Sequence, residues 1–582
     1  MGQIFYDLSY TIIFALTFSL LVAFTFIPML IFQFMGSSFP LIAFFNKIID
    51  KIVTSLLGWF GDIFLLLYGL LLRGVLYTWV TRFLLILAVI ALFLFSLLVM
   101  PPAELLPEIP EPNISIKIGL PAGLNLGAAD KIAKTVEKFL GEDELLKPNI
   151  ARFTSRVSTK DLLFFIELKE PSDKVMTRIR ERIAGMAADI RDFNVTTVSP
   201  LKTILAGEGG DIGIRVSGYD LAKISQICKD ITDALKKNDS VAPYLTDVQN
   251  SMGEGIPELL INVDKVKASD LQVSTEDIAK NIEMAVSGKK VTDVTLEGKE
   301  NEGQMDVRLA LSKIKKSDLG NLQIKPSVSL SKVADIVDDK GPAVIIRDER
   351  ERIGIVSANI KKGGMALGDI TNMLSNQDKK GVLDQFKLEP GYKISLVGTS
   401  EAMKKSSDSL LFAMIAAVIL VYMVMAGQFE SLLHPLAIMF SIPLSVIGAF
   451  IGLFLCGINL SVTAYIGIIM LAGIVVNNAI ILVDYTNILR ARGHDRNEAI
   501  IIAGETRLRP IFMTTLTTVL GMLPMAFEQT LYQPLALVVI FGLTFSTFLT
   551  LVFIPAIYCF FDDVKELLDF ILFKISMLFS KA

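Results

Sequence analysis

The sequence predicts an α-helical polytopic membrane protein with a large α+β domain outside the membrane. The 582-residue chain is 52% hydrophobic, and its mean hydropathy is +0.55. Apolar runs are concentrated in residues 1–100 and 406–560, whereas residues 101–405 have the charges and turns of a water-exposed region. Because a helix needs ~20 apolar residues to cross a bilayer, the sequence predicts two membrane blocks that flank one external domain.

Seven segments are long and apolar enough to be spanning helices. They are residues 10–32, 80–100, 408–426, 436–456, 462–485, 510–528 and 534–558. The stretch 37–72 is also apolar, but Asp62 interrupts it, so we predict an interfacial amphipathic helix there rather than an eighth span. The membrane parts are therefore a helix at 1–36, the amphipathic region, a helix at 73–101, a five-helix block at 406–560 and an amphipathic tail at 561–582.

Arginines set the orientation of these helices. Arg490, Arg492, Arg496, Arg507 and Arg509 lie between or beside the spans at 462–485 and 510–528, which predicts a cytoplasmic loop. Counting helices outward from this loop predicts that residues ~102–405 are external and that the C-terminus is cytoplasmic. The same count leaves the N-terminus outside without a signal peptide, so we expect further helices upstream.

Two repeats divide the external domain. Residues 112–200 alternate as strands at 114–118, 153–157, 162–168 and 194–198 with helices at 128–140 and 172–191, the split βαβ or ferredoxin-like order. A second unit begins at 212–216, 221–237 and 245–249 and resumes at 353–360, 369–374 and 392–397. We therefore predict a first subdomain at 102–205, a second at 206–264 with 346–405, and an insertion at 265–345. The two subdomains form an internal repeat, which the insertion interrupts.

No motif predicts an enzyme. The sequence contains no G-x-S-x-G, Walker A or H-E-x-x-H motif, so it carries no ATPase motor and implies no cofactor. Three scattered cysteines and two histidines argue against a disulfide framework or a metal site. The net charge is −4 without a basic stripe, so we expect no nucleic-acid partner.

Polar residues inside apolar helices are the candidate functional groups, since intramembrane polar side chains are costly and usually functional. Asn477 and Asn478 lie near the middle of one predicted span, and Asp484 follows Asn477 by two helical turns. Thr514 and Thr518 lie one turn apart on the next span. These groups either join helices by hydrogen bonds of ~1 kcal/mol each or line a proton or substrate relay.

The order of these motifs resembles the resistance–nodulation–division (RND) permeases. Gly427–Ser431 with Ser441–Ala449 resembles the family's eighth-to-ninth helix region, and Gly473–Tyr485 resembles its tenth helix. Arg507–Thr515 with Gly521–Pro524 resembles the start of the eleventh. The stretch at 14–30 resembles the sixth helix, so the resemblance extends over nearly the whole chain and implies the portion from the sixth to the twelfth helix.

This resemblance implies a proton-driven exporter of the hydrophobe and amphiphile (multidrug) type. It implies an inner-membrane location, two periplasmic porter subdomains and a docking insertion. It also implies trimers that work with a periplasmic adaptor, an outer-membrane channel and a small hydrophobic substrate such as a drug, detergent or lipid. A separate N-terminal half-transporter polypeptide is the expected further partner.

The family's proton-binding acids lie on its fourth helix, and no helix of this chain has a matching central aspartate pair. Drug-exporting members often carry a lysine on the tenth helix, where this chain has Asn477. Asparagine can hydrogen-bond a carboxyl group in either protonation state. Carried over residue by residue, Asn477, Asn478, Thr514 and Arg507 are the candidate relay-supporting residues, and Asp484 and Thr518 are secondary candidates.

Three alternatives to this function stay open. The chain could be a heavy-metal cation exporter of the same superfamily or an inactive truncated product. It could also be a protein-secretion accessory with an RND-like membrane fold, although the long two-unit external domain argues against this.

Overall fold

A computed structural model defines the fold of most of the chain. It describes residues 2–35, 58–107, 113–120, 126–143, 146–159, 161–170, 175, 178–179, 192–197, 210–252, 256–295, 304–309, 316–341, 344–361, 364–375 and 381–579.

Among residues 2–35 and 58–107, which the structure describes, three helices precede the external domain. They are α1 (Gly2–Met35), α2 (Gly58–Leu76) and α3 (Trp79–Leu98). One face of α2 is buried against the C-terminal helices through Tyr68, Leu72 and Leu76. The helix ends four residues beyond the predicted amphipathic region, and residues 37–57 of that region lie outside the described residues.

The first α/β unit has a four-stranded antiparallel sheet. Its elements are β1 (Asn113–Gly119), α4 (Leu126–Glu142), β2 (Ile150–Val157), β3 (Asp161–Leu168) and β4 (Asp192–Thr197). The strand order is β2-β3-β1-β4, which is the order of a split βαβ unit. Alternate residues of β1, Ile114, Ile116 and Ile118, are buried in the core below the sheet. Most of the helix predicted at 172–191 lies outside the described residues.

The second unit is split by an insertion. In chain order, its elements and those of the insertion are β5 (Ile212–Gly218), α5 (Leu221–Lys237), β6 (Leu245–Asn250), β7 (Ile256–Val263), α6 (Lys265–Asp270), α7 (Thr275–Val286), β8 (Lys289–Thr295), β9 (Gln304–Leu309), α8 (Lys316–Leu319), β10 (Gln323–Lys325), β11 (Val328–Ser329), α9 (Leu330–Val333), β12 (Ala334–Gly341), β13 (Ile346–Asp348), β14 (Glu351–Ile360), α10 (Leu367–Leu374) and β15 (Lys393–Val397). Its sheet has the order β13-β14-β5-β15, and β6 also pairs with β14. The chain therefore leaves this sheet after β6 and returns to it at β13 and β14.

The strand before the predicted insertion pairs with a strand inside it. The whole of β7 pairs antiparallel with β12, from Val263 opposite Ala334 to Ile256 opposite Gly341. Strand β7 lies before the predicted start of the insertion at residue 265, and β12 lies within the predicted insertion. This pairing depends on a long-range register that the sequence of neither strand contains.

The C-terminal block completes the membrane part. Its helices are α11 (Thr399–Phe429), α12 (Leu433–Met439), α13 (Ser441–Cys456), α14 (Val462–Ala491), α15 (Arg496–Phe527) and α16 (Gln533–Phe579). Within the described residues seven helical stretches are long and apolar enough to span a membrane, which confirms the predicted number. The predicted tail at 561–582 begins as a direct continuation of α16.

Close packing at the centre of this block depends on small residues. Added Cβ atoms at Gly448 and Gly452 of α13 would lie 2.4 Å from Phe545 and 2.3 Å from Phe541 of α16. Such contacts let helix backbones approach closely inside a membrane, where van der Waals packing is a main source of helix association. The buried pair of α13 and α16 supports α14, whose buried face contacts both helices.

Candidate functional site

The intramembrane polar residues lie on two neighbouring helices, α14 and α15. Helix α14 begins where the Ser461 side chain accepts a hydrogen bond from the backbone N–H of Ala464 at 3.3 Å. No proline interrupts its 30 residues, so the helix passes unbroken through Asn477, Asn478 and Asp484. Helix α15 contains Pro510 and Pro524, which bracket its threonine-rich segment.

Asn478 and Thr514 are brought together between these helices. The Thr514 hydroxyl lies 3.3 Å from Asn478 Oδ1 and 2.9 Å from the backbone oxygen of Ile511. A hydroxyl has one proton to donate, so the shorter bond to its own helix competes with the bond to Asn478. Asn478 is only 6% exposed. Its amide is therefore a buried polar group held by a weak and exchangeable contact.

Asn477 points away from the described helices. Its side chain is exposed and makes no hydrogen bond within the part of the chain that the structure describes. Asp484, two turns later, is exposed on the same side of α14. Gly473, one turn earlier, is exposed as well, and an added Cβ there would meet no atom within 4 Å. We call these three residues the open polar face of α14.

Arg507 lies beside this face. Its guanidinium carbon is 4.4 Å from the ring centroid of Tyr485, the residue after Asp484, in a cation–π arrangement. Its Nε atom is buried without a hydrogen-bond partner among the described residues. A positive charge thus lies at Tyr485, roughly 12 Å along α14 from Asn477 and next to the Asp484 end of the open polar face.

Thr518, a secondary candidate, does not join the pair. Its hydroxyl donates to the backbone oxygen of Thr514 at 2.9 Å, within its own helix. Instead, Thr515 forms a hydrogen bond of 2.9 Å with Thr547 of α16. The threonine cluster is visible in the sequence, but which threonine faces α16 depends on how α15 is rotated in the folded block.

Sequence reasoning missed an ionic cluster at the predicted cytoplasmic ends of the helices. Asp563 of α16 accepts from Arg82 of α3 at 2.8 Å and from Arg496 of α15 at 2.6 Å. Its neighbour Asp562 accepts from Arg490 of α14 at 2.7 Å. Two adjacent acids directly after an apolar run are the signal that could have found it. The cluster ties α16 to three helices at one end of the block.

No clustered ligand set for a metal lies among the described residues: no group of three His, Cys, Asp or Glu side chains is close together there. Burial raises the pKa of the Cys228 thiol, in the second α/β unit, to about 12. That thiol is therefore neutral at ordinary pH, and a neutral thiol is a poor nucleophile and metal ligand. The chemistry available at the site is hydrogen bonding to a carboxyl group by amides, hydroxyls and a guanidinium.

Comparison with known proteins identifies close similarities along the chain. The sequence model of the AcrB/AcrD/AcrF family matches residues 1–562. The cobalt-zinc-cadmium resistance protein CzcA of Cupriavidus metallidurans is 24% identical over 491 residues, which cover 78% of this chain and 45% of CzcA. The swarming motility protein SwrC of Bacillus subtilis is 31% identical over 367 residues, or 61% of this chain and 33% of SwrC.

Further matches include a multidrug resistance protein and a solved structure. The protein MdtC of Pectobacterium carotovorum is 26% identical over 436 residues, or 72% of this chain and 41% of MdtC. The crystal structure of a heavy metal efflux pump has a TM-score of 0.71 and 24% identity, and the match covers 86% of this chain and 51% of that one. The chain therefore spans about half the length of the solved pump and less than half of these relatives.

Proposed function

Because the chain belongs to the AcrB/AcrD/AcrF family of RND permeases, we propose that it forms the responding part of a proton-driven efflux pump. Family membership supports a role as part of a membrane efflux permease. In the proposed cycle, an acid on another helix of the complete pump is protonated and deprotonated beside α14. The external α/β units, acting as porter subdomains, then open and close in turn around the exported compound.

The observation that carries this proposal is the Asn478–Thr514 pair next to the open polar face of α14. A carboxylate in the middle of a membrane is disfavoured by roughly 2.5–3.5 kcal/mol, so it needs donors around it. The amide of Asn477 can donate to a carboxylate and accept from a carboxylic acid, and Arg507 places a positive charge beside Tyr485, at the Asp484 end of the face. The face therefore suits an acid whose protonation state changes.

Asn477 has no structural partner among the described helices: it is exposed on α14, and none of those helices hydrogen-bonds its side chain. Its partner in the proposed pump is therefore a group on another helix. The exposed Gly473 leaves room for another helix to approach closely. We infer that a helix of the complete pump, equivalent to one in the first half of the relatives, packs on this face, whether it belongs to the same or a separate polypeptide. Co-purification from the native membrane would identify a separate one.

For the substrate we propose apolar or amphiphilic compounds. On the open face of the first sheet, a depression surrounds Phe165, whose side chain is 46% exposed, next to the ion pair of Arg152 and Glu167. An exposed aromatic ring beside charged groups suits an amphiphile. A transition-metal ion instead prefers clustered nitrogen, oxygen or sulfur ligands. The relative MdtC, a multidrug resistance protein by name, is consistent with this class.

Heavy-metal cations are the second candidate substrate. They are favoured by the names of CzcA and of the nickel and cobalt resistance protein CnrA, which is 27% identical over 400 residues. Transport by the complete pump in proteoliposomes, with rhodamine 6G in one arm and Co²⁺ in the other, separates the two classes. Export of Co²⁺ without the dye would replace our substrate proposal.

The relay itself is tested by Asn477→Leu. With an imposed pH gradient, we expect this variant to lose export of the transported probe while its membrane abundance stays unchanged, because leucine cannot hydrogen-bond an acid. Asn477→Gln, which keeps the amide, is the matched control and should retain part of the activity. Undiminished export by Asn477→Leu would return this residue to a structural role.

We also propose that the pump works as a trimer in the inner membrane, with a periplasmic adaptor and an outer-membrane channel. The support is family membership, since RND permeases generally assemble in this way. Mass photometry of the pump in native nanodiscs would give the stoichiometry. Crosslinking in cells would capture an adaptor.

A further inference from the structure

The hydrophobic core of the second α/β unit contains residues from the membrane block. Leu105 and Leu106, which follow α3, and Val462, which opens α14, are 1%, 7% and 2% exposed within that core. Leu460, two residues before Val462, is 1% exposed but belongs to the core between the membrane helices. The loop before α14 therefore joins two cores within three residues.

The backbone also fixes this joint. The segment Pro102–Leu106, which we call the junction segment, runs parallel to the loop before α14. The N–H of Leu460 donates to Pro102 O at 2.9 Å, and the N–H of Glu104 donates to Leu460 O at 3.1 Å. The N–H of Val462 donates to Leu105 O at 3.3 Å. A short β-like pairing thus holds the start of α14 to the segment that leaves α3.

The junction segment is fixed to the second unit on its other side. The N–H of Gly368 in α10 donates to Ala103 O at 3.1 Å. An added Cβ at Gly368 would lie 2.9 Å from that same oxygen, closer than a Cβ and a backbone oxygen are ordinarily found. Only glycine permits this approach without moving the backbone.

A side-chain contact completes the joint. Asn459 Nδ2 donates to Glu104 Oε2 at 2.6 Å in a partly buried position. Hydrogen bonds to a carboxylate are shorter and stronger than neutral ones, so this contact holds the loop before α14 to the junction segment. Glu104 and Asn459 are 355 residues apart in sequence.

Helix α14 links this joint to the relay site. Its 30 residues contain no proline, and at 1.5 Å per residue Asn478 lies roughly 24 Å along the helix from Val462. A continuously hydrogen-bonded helix transmits a tilt or shift over such a length with little bending. A displacement at Asn478 therefore reaches the second unit without passing through a flexible linker.

We propose that the junction segment makes α14 and the second α/β unit one rigid body, with Glu104, Asn459 and Gly368 as positioning residues, and that the first unit moves relative to this body. The inference rests on the proposed function, since proton binding near Asn477 and Asn478 is the source of the movement. It identifies the second unit as the directly driven one.

The test measures distances in the complete pump, purified with any polypeptide that accompanies it. Spin labels at Ala491 and Lys229 report on α14 and the second unit, and labels at Ala491 and Lys131 report on α14 and the first unit; all three positions are exposed. Cys456 is the exposed free cysteine among the described residues, so Cys456→Ser provides the background. We expect the 491–131 distance to shift between pH 8 and pH 5.5 and the 491–229 distance to stay constant.

Two pairs of variants then act on the joint. Gly368→Ala and Glu104→Ala should make the 491–229 distance broad or pH-dependent. Gly141→Ala, where an added Cβ meets open space, and Glu104→Gln, which keeps an acceptor, should resemble the wild type.

The outcomes separate the inference from its premise. Equal pH shifts of both distances in the wild type would overturn the inference and leave the proposed function standing, as would joint variants that behave like the wild type. Two distances that both ignore pH would overturn the proton-driven function and the inference with it.

Discussion

The two α/β units share a four-strand order, β2-β3-β1-β4 in the first and β6-β14-β5-β15 in the second, to which the second adds β13. They differ in what closes their hydrophobic cores. The buried core of the first unit contains only residues between Ile114 and Ile179, so it is closed by its own chain segment within the described residues. The core of the second unit takes in Leu105, Leu106 and Val462 from the flanks of membrane helices. The first unit is therefore attached through its connecting segments, whereas the second unit shares its hydrophobic core with the membrane block.

This difference shows that a structural repeat need not be a mechanical repeat. Two units of equal topology respond differently to a movement of α14, because only one of them is packed onto that helix. In a pump whose external units must move relative to each other, this asymmetry means that a movement of α14 acts directly on the second unit and only indirectly on the first. At the opposite end of these helices, the ionic cluster of Asp562 and Asp563 holds α16 to α14 and α15.

Removing a large side chain from each core should affect the two units differently. Leu105→Ala and Leu140→Ala each empty a site that is 1% exposed, at an expected cost of roughly 2–5 kcal/mol of stability. We expect hydrogen exchange in Leu105→Ala to rise in the second unit and at the start of α14 together. In Leu140→Ala it should rise in the first unit alone.

If Leu105→Ala increased hydrogen exchange in the second unit but not at the start of α14, the shared core would not couple the two mechanically. The two variants control for each other, because they remove the same side chain from the same degree of burial.

Removal of the Thr514 hydroxyl tests the proposed relay. Thr514→Val removes the hydroxyl that contacts Asn478, whereas Thr517→Val removes one that bonds only its own helix, to Met513 O at 2.7 Å. A hydrogen bond contributes about 0.5–1.5 kcal/mol net, so we expect up to about a tenfold loss of transport rate for Thr514→Val and little change for Thr517→Val. Initial rates of proton-driven export measure both, and equal rates would separate Thr514 from the relay.

The smallest expected effect concerns acid stability of the insertion in the second unit. Backbone and side-chain contacts with Lys267, the backbone bond first, lower the pKa of Asp264 below its ordinary 3.8. A lowered folded-state pKa means that the stabilisation is present above the unfolded value and is lost as pH falls through the folded one. We expect helix α6, which Asp264 caps at Val266 N and Lys267 N, to fray only below about pH 4.

An NMR titration of the Asp264 carboxyl checks this. A midpoint at or above 3.8 would contradict it, and Asp264→Asn, which keeps an acceptor for the cap but no charge, should remove the pH dependence.

Much of the architecture follows from the sequence because it depends on local patterns. Runs of about 20 apolar residues predict seven spanning helices, and the described residues contain seven helical stretches long and apolar enough to span. Residues such as Ile114, Ile116 and Ile118 predict a strand by alternation. The threonine and asparagine positions in apolar helices also indicate where to look for a site. Each of these patterns lies within a single helix or strand, so it can be recognised without knowing which segments pack against it.

Other features were decided only by the tertiary structure. Asn477 and Asn478 are adjacent in an apolar helix, yet Asn478 is buried against Thr514 and Asn477 is exposed, because each residue of a helix is rotated by about 100° from the last. The pairing of β7 with β12 and the contacts that Ala103 makes with Leu460 and Gly368 join segments far apart in the chain. The physical reason is that which side of an element becomes buried, and against what, depends on the packing of distant segments. Hydropathy alone could therefore not show that only one of the two α/β units shares a core with the membrane block.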